Sequence, residues 1–107
     1  GLVDNWIRHV TDVADKHEAC LHNAGELSVQ HARLCELNVL EQVVNVCRTT
    51  IVRDAWERAQ KLCVHGWVYS LRDGRAHDLG MSIDCSELLQ RRYDAALAKI
   101  QADRAER

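Results

Sequence analysis

The stretch Leu34-Cys35-Glu36-Leu37-Asn38-Val39-Leu40-Glu41-Gln42-Val43-Val44-Asn45-Val46 decides how the rest of this chain is read. Its apolar residues do not keep to one stripe. At 3.6 residues per turn, Leu37, Leu40, Val44 and Cys47 line one side of a helix, while Val39, Val43 and Val46 line another. A helix apolar on two sides is buried on two sides, between a sheet and a neighbouring helix or within a dimer interface. The pattern predicts a helix over 28–48 with Ser28 as its N-cap. A chain of 107 residues is expected to supply only part of the cover such a helix needs.

On the N-terminal side, Leu2, Trp6, Val10, Val13 and His17 fall at i, i+4, i+8, i+11 and i+15, which predicts one helical stripe in a helix over 2–22. Arg8, Asp12, Asp15 and Lys16 lie on the other side as a solvated face, with Arg8/Asp12 and Asp12/Lys16 at i,i+4 spacing. Asn23-Ala24-Gly25 ends the pattern as a helix C-terminus and loop. On the C-terminal side, Thr50 is read as the cap of a short helix over 51–61, with Val52, Ala55, Trp56 and Ala59 inward.

From Leu62 to Ile83 the periodicity switches to two, predicting a hairpin with strands at about 62–71 and 76–83. Asp73-Gly74 is a type I′ turn signal, because both central residues of that turn need positive φ. A two-residue turn there pairs Arg72 with Arg75, Val68 with Leu79, Gly66 with Met81 and Val64 with Ile83. It puts Val64, Val68, Leu79, Met81 and Ile83 on one apolar face, and Cys63, His65, Trp67 and Tyr69 on the other. Asp84-x-x-Glu87 reads as a capping box opening a last helix over 85–103, with Leu88, Leu89, Tyr93, Leu97 and Ile100 inward.

Composition narrows the classes. The length allows at most one small domain, and the expectation is a single partial domain over 1–107. An apolar fraction of 47% is that of a folded protein. The absence of proline suits long helices. A formal charge of -2 gives no electrostatic reason to expect nucleic acid or an acidic membrane surface as a partner. No apolar run approaches the ~20 residues that span a bilayer. Five cysteines, an odd number at irregular spacing, argue against a secreted disulfide framework and for a reduced, cytoplasmic setting. The N-terminus Gly1-Leu2-Val3-Asp4 has neither a basic targeting region nor an initiator Met, and reads as a cut end.

Several strings of the chain, taken in order, resemble one enzyme family. Asp4-Asn5-Trp6-Ile7-Arg8-His9, Leu37-Asn38-Val39-Leu40-Glu41-Gln42-Val43, Ala55-Trp56-Glu57-Arg58 and Lys61-Leu62-Cys63-Val64-His65-Gly66-Trp67-Val68-Tyr69 are similar to the C-terminal half of a bacterial-type β-class carbonic anhydrase. The likeness runs from Gly1 to about Ile100. It implies an α/β fold, the C-terminal part of that family's architecture: mostly helical, with one hairpin and a C-terminal helix, and with the upstream parallel strands absent.

In that family zinc is held by two cysteines and a histidine from a Cys-x-Asp-x-Arg segment and a later His-x-x-Cys followed by glycines. The metal lowers the pKa of bound water so that hydroxide attacks CO2 at neutral pH. Neither segment is found here. No cysteine begins Cys-x-Asp-x-Arg, and the one His-x-x-Cys, His17 and Cys20, lacks the glycines and lies after the Trp6 helix. The resemblance therefore implies no catalytic and no metal residues in this chain, with zinc belonging to the complete enzyme. Two pairs on separate helices, His17/Cys20 with His22 nearby and His31/Cys35, are weighed together as one metal site of the chain's own, whereas Cys63/His65 makes only one pair. Zinc needs three or four convergent donors, and nothing in the spacing specifies convergence.

Some bacterial members bind bicarbonate at a second, inhibitory site that uses a tyrosine from the strand resembling His65-Gly66-Trp67-Val68-Tyr69. By resemblance Tyr69 is that tyrosine, though its tryptophan and arginine partners belong to the other half of the family sequence. The expected partners are a second copy of the chain (a dimer or higher homo-oligomer) or the missing half, with CO2 and bicarbonate as substrates of the complete enzyme. A different class, a non-catalytic helical self-association module acting through the two-sided helix, is the alternative reading.

Overall fold

A computed structural model describes residues 1–70 and 73–102. The chain runs as α1 (Leu2–Lys16), α2 (Glu18–His22), α3 (Leu27–Cys47), α4 (Thr50–Glu57), β1 (Val64–Ser70), β2 (Arg75–Ile83), a 3-10 turn (Ser86–Leu88) and α5 (Leu89–Ala102). Among the described residues the only sheet is the antiparallel pair β1–β2, so the architecture is mostly helical with one hairpin, in the α/β class. No helix among them is long and apolar enough to cross a membrane.

Helix α3 is the axis of the molecule. Leu37 and Leu40 on α3 and Met81 and Ile83 on β2 are fully buried, with Val43, Val44 and Cys47 nearly so. Each such aliphatic side chain gains ~1.5–3 kcal/mol by leaving water. Val13 of α1 and Ala96 and Ile100 of α5 complete the cluster. One side of α3 therefore packs on the hairpin and the other on α1 and α5. This corrects the expectation that so short a chain would leave one side of the helix uncovered. Val46, near the C-terminus, remains 43% exposed, as does Leu27 in the first turn at 67%.

The approach of α3 to β1 is as close as it can be. A Cβ at Gly66 would stand 2.9 Å from Val43 Cγ2, 3.2 Å from Met81 Cβ and 3.3 Å from Val39 Cγ1. Glycine is the residue that lets helix and strand touch there.

The hairpin departs from its expected register. Val64 faces Ile83 and Gly66 faces Met81 as predicted, but Trp67 faces Asp78, Val68 faces His77 and Ser70 faces Arg75. Leu79 and Gly80 are thus two extra residues in β2, bulged out between Gly66 and Trp67. Gly80 adopts φ 79°, and its N–H donates to Asp78 Oδ1 at 2.8 Å, which closes the bulge locally. Arg75 consequently pairs with Ser70 rather than with Arg72, which lies outside the described residues along with Leu71. Asp73-Gly74 does turn the chain: Gly74 has φ 67°, and its N–H donates to the Ser70 carbonyl. Because the shift is an even number, the facing survives: Leu79, Met81 and Ile83 are buried and Trp67 and Tyr69 exposed.

Helix boundaries differ for local reasons. The helix expected over 2–22 breaks at His17 (φ -111°, ψ 28°), where the imidazole turns inward. Helix α3 starts one residue before Ser28, capped by Glu26 without a side-chain bond, while Gln30 Nε2 closes the preceding loop on the Gly25 carbonyl. Thr49, not Thr50, caps α4 by accepting from the Val52 N–H, and α4 ends at Glu57, before Ala59 in the left-handed region. The indole N–H of Trp56 then donates to the Leu62 carbonyl at 2.9 Å, tying the α4–β1 connection. The capping box at Asp84 and Glu87 does not form; Cys85 precedes a 3-10 turn and the helix proper begins at Leu89. Asp84 and Glu87 are exposed, whereas Leu89, Tyr93, Ala96 and Ile100 recur at i, i+4, i+7 and i+11 against the core, so packing sets the start. The end of the predicted helix at 103 falls outside the described residues.

Candidate functional site

The pairs singled out as possible metal donors lie apart. His17 is buried, and its Nε2 stands 2.9 Å from Glu41 Oε2, so the imidazole is committed to a carboxylate on α3. Cys20 is also buried and faces Arg33, whose Nη1 donates to the Cys20 carbonyl at 2.9 Å and lies 3.9 Å from its sulfur. His22, His31 and Cys35 are exposed. Cys63 Sγ and His65 Nδ1 are 4.0 Å apart on the open side of β1, where Ser82 Oγ holds the imidazole at 2.9 Å. Among the described residues no three His, Cys, Asp or Glu side chains come together in a way that could hold a metal ion. The donors present do not fit zinc, which needs a convergent set. All five cysteines are free thiols.

Tyr69 is 63% exposed at the mouth of a groove of about 480 Å³ between the first turns of α3 and the hairpin tip. Val29, Ala32, Cys35, His77 and Leu79 line it too, so the groove is chiefly apolar. The Tyr69 hydroxyl lies 3.7 Å from where a Gly74 Cβ would stand. Trp67 makes its ring contact with His65, at 6.3 Å between centroids, and not with Tyr69. At the rim, His77 Nε2 meets Asp73 Oδ2 at 2.8 Å. The Arg75 N–H and then the His77 imidazole hold the Asp73 carboxyl below its ordinary range. No Lys or Arg is among the described lining residues while Glu36 and Asp73 are, so an anion in the groove would meet two carboxylates beside the phenol and the imidazole, and no fixed cation.

The most ordered polar arrangement is one that the sequence did not announce. Glu41 lies on α3 with only 10% of its side chain exposed. Its Oε2 accepts from the Tyr93 hydroxyl at 2.5 Å and pairs with His17 Nε2 at 2.9 Å, while Oε1 takes Lys16 Nζ at 3.0 Å. Burial raises the carboxyl, but the bonds from Tyr93, His17 and Lys16 together outweigh it and hold Glu41 below the ordinary value. Tyr93 is pushed well above the ordinary phenol range by burial and by the same carboxylate. The signal was present: His17 lay in the apolar stripe of the first helix and Tyr93 in that of the last. A carboxylate on a helix buried on both sides requires such partners.

Comparison with known proteins places this geometry. A family model described as carbonic anhydrase matches residues 1–76. Carbonic anhydrase from Emericella nidulans is 36% identical over 81 residues, which is 76% of this chain and 36% of that protein. The solved structure of Coccomyxa β-carbonic anhydrase in complex with acetazolamide superposes with a TM-score of 0.72 at 41% identity, covering 81% of this chain and 39% of the other. The chain thus spans well under half the length of the relatives it matches.

Proposed function

This chain belongs to the carbonic anhydrase family, and from that premise we propose that it is the C-terminal portion of a zinc-dependent β-class enzyme that interconverts CO2 and bicarbonate, a portion inactive by itself. The observation that carries the second half of the proposal is the fate of the one His-x-x-Cys: His17 is spent on Glu41 and Cys20 packs against Arg33, so the two side chains serve different partners. Zinc, when bound in the complete enzyme, supplies an activated water; the residues of this chain supply the helix and hairpin scaffold. The free thiols support a reduced, cytoplasmic setting.

The test is a stopped-flow CO2 hydration assay on the purified chain, with zinc measured in the same sample. Hydration at the buffer rate and well under one zinc per chain are expected. Zinc-dependent hydration by the 107 residues alone would sink the proposal.

For partners, we propose a homo-oligomer or the remaining part of the enzyme. Leu2, Val3, Trp6 and Ile7 form an exposed apolar run on α1, and among the described residues β1 pairs only with β2. Both features favour association. They equally favour the second reading, a non-catalytic self-association module. Light scattering separates the two: a monodisperse oligomer of the isolated chain supports the module, and aggregation relieved by the rest of the enzyme supports the fragment. Tyr69 is proposed as one hydroxyl donor of a non-catalytic bicarbonate contact that needs cations from elsewhere. Bicarbonate titration of the isolated chain is accordingly expected to leave the Tyr69 ring resonances unmoved.

A further inference from the structure

Helix α1 is free at its N-terminal half and held from its middle onward, where His9 and Val10 are half-buried. Along its apolar stripe exposure falls from 88% at Leu2 and 60% at Trp6 to 3% at Val13, with His17 just beyond the helix at 8%. Val13 is the only residue of α1 that is buried. Past it, the anchoring is polar: Lys16 and His17 both bond the Glu41 carboxylate, and Tyr93 bonds the same carboxylate from α5. Elements separated by 24, 25 and 52 residues in sequence therefore meet at one side chain. Lys16 Nζ also lies 5.5 Å from the Tyr93 ring centroid, a weak further tie.

We infer that Glu41 is a three-element latch, and that protonating or neutralising it releases α1 from α3 and α5 while the α3–hairpin core stays folded. The physical basis is the contrast in how the two parts are held. Between α3 and the hairpin the contact is built chiefly on hydrocarbon side chains with no proton to lose, Leu37, Leu40, Val43, Met81 and Ile83, with buried Glu36 at its edge beside His77 and Leu79. The α1 attachment has one fully buried aliphatic side chain, the half-buried His9, Val10 and Ala14, and a carboxylate, and removing the charge leaves Lys16, His17 and Tyr93 facing a group that no longer satisfies them.

The groups facing Glu41 are Lys16 from α1, His17 just beyond it and Tyr93 from α5; Asp94, beside Tyr93, only disfavours the phenolate further. Because the folded-state Glu41 is held below its ordinary value, the latch is closed above the ordinary carboxylate range and opens as pH falls through the lower folded value. Tyr93 stays a neutral donor throughout that window.

Hydrogen exchange of the whole chain, read peptide by peptide and corrected for intrinsic pH effects, tests this. In Glu41→Gln at neutral pH, amides of α1 are expected to exchange ~100-fold faster, with those of β1 and β2 changed less than ~3-fold. Tyr93→Phe, which keeps the charge and the α1 bonds, is expected to accelerate α1 by ~2- to 10-fold. In the native chain α1 alone accelerates on acidification, and that acid step is missing in Glu41→Gln. If α1 and the hairpin accelerate together, or if the acid step persists in Glu41→Gln, the latch is refuted. Should Glu41→Gln not fold, an unchanged α1 in Tyr93→Phe and no separate acid step in the native chain refute it as well.

Discussion

Helix α3 has two different neighbours, and the contrast between them explains most of the molecule's physics. Toward the hairpin it presents Val39 and Val43, which together with Met81 leave no room for a side chain at Gly66. Toward α1 and α5 it presents Glu41, satisfied by a lysine, an imidazole and a phenol. The first contact is set chiefly by volume, with the Glu36 carboxylate at its edge. The second can absorb small changes of shape and is governed by charge. One helix thus carries a dry seam and an electrostatic seam a few residues apart.

That contrast can be broken in order of size. Leu40→Ala, at a fully buried position of the dry seam, is expected to cost ~2–5 kcal/mol in urea denaturation, with no dependence on pH between 5 and 8. Gly66→Ala, which forces a methyl against Val43 and the backbone-proximal Met81 Cβ, should cost ~1–3 kcal/mol, and Val43→Ala in the same chain should recover part of it. The electrostatic seam behaves differently: the stability Glu41 contributes is fully present above the ordinary carboxylate value and is lost as pH falls through its lower folded value. Urea midpoints from pH 7 down to 3 should therefore fall more steeply for the native chain and Leu40→Ala than for Glu41→Gln; equal slopes would mean the carboxylate is not the titrating tie. Smallest is Val46→Thr, on the exposed strip of the same helix, expected within ~0.5 kcal/mol of native.

How much of this was legible in the residues depends on whether the cause was local. The two-sided pattern of 37–47 was readable because it is a period, and the hairpin because period two is equally plain. The register was misread for an instructive reason. Leu79-Gly80 adds two residues, an even number that leaves the inside–outside alternation intact, so patterning cannot detect it; only the isolated Gly80 in a strand hinted at a bulge. The Asp84–Glu87 box failed because four residues of local chemistry yielded to the packing of Leu89, Ala96 and Ile100. The Glu41 cluster joins positions 24 to 52 apart, and no spacing rule reaches that far. The separation of His17 from Cys20 is of the same kind, decided by Arg33 and Glu41 on another helix.

The bond from the Trp56 indole to the Leu62 carbonyl has a practical consequence for anyone following this chain with light. Of three indoles, only that one is fixed and partly shielded; Trp6 and Trp67 sit 60% and 58% in water even when everything is folded. Native emission should already be red-shifted, and unfolding should change it little. Replacing Trp6 and Trp67 with phenylalanine would leave a single reporter seated at the α4–β1 joint, whose colour then answers for the fold.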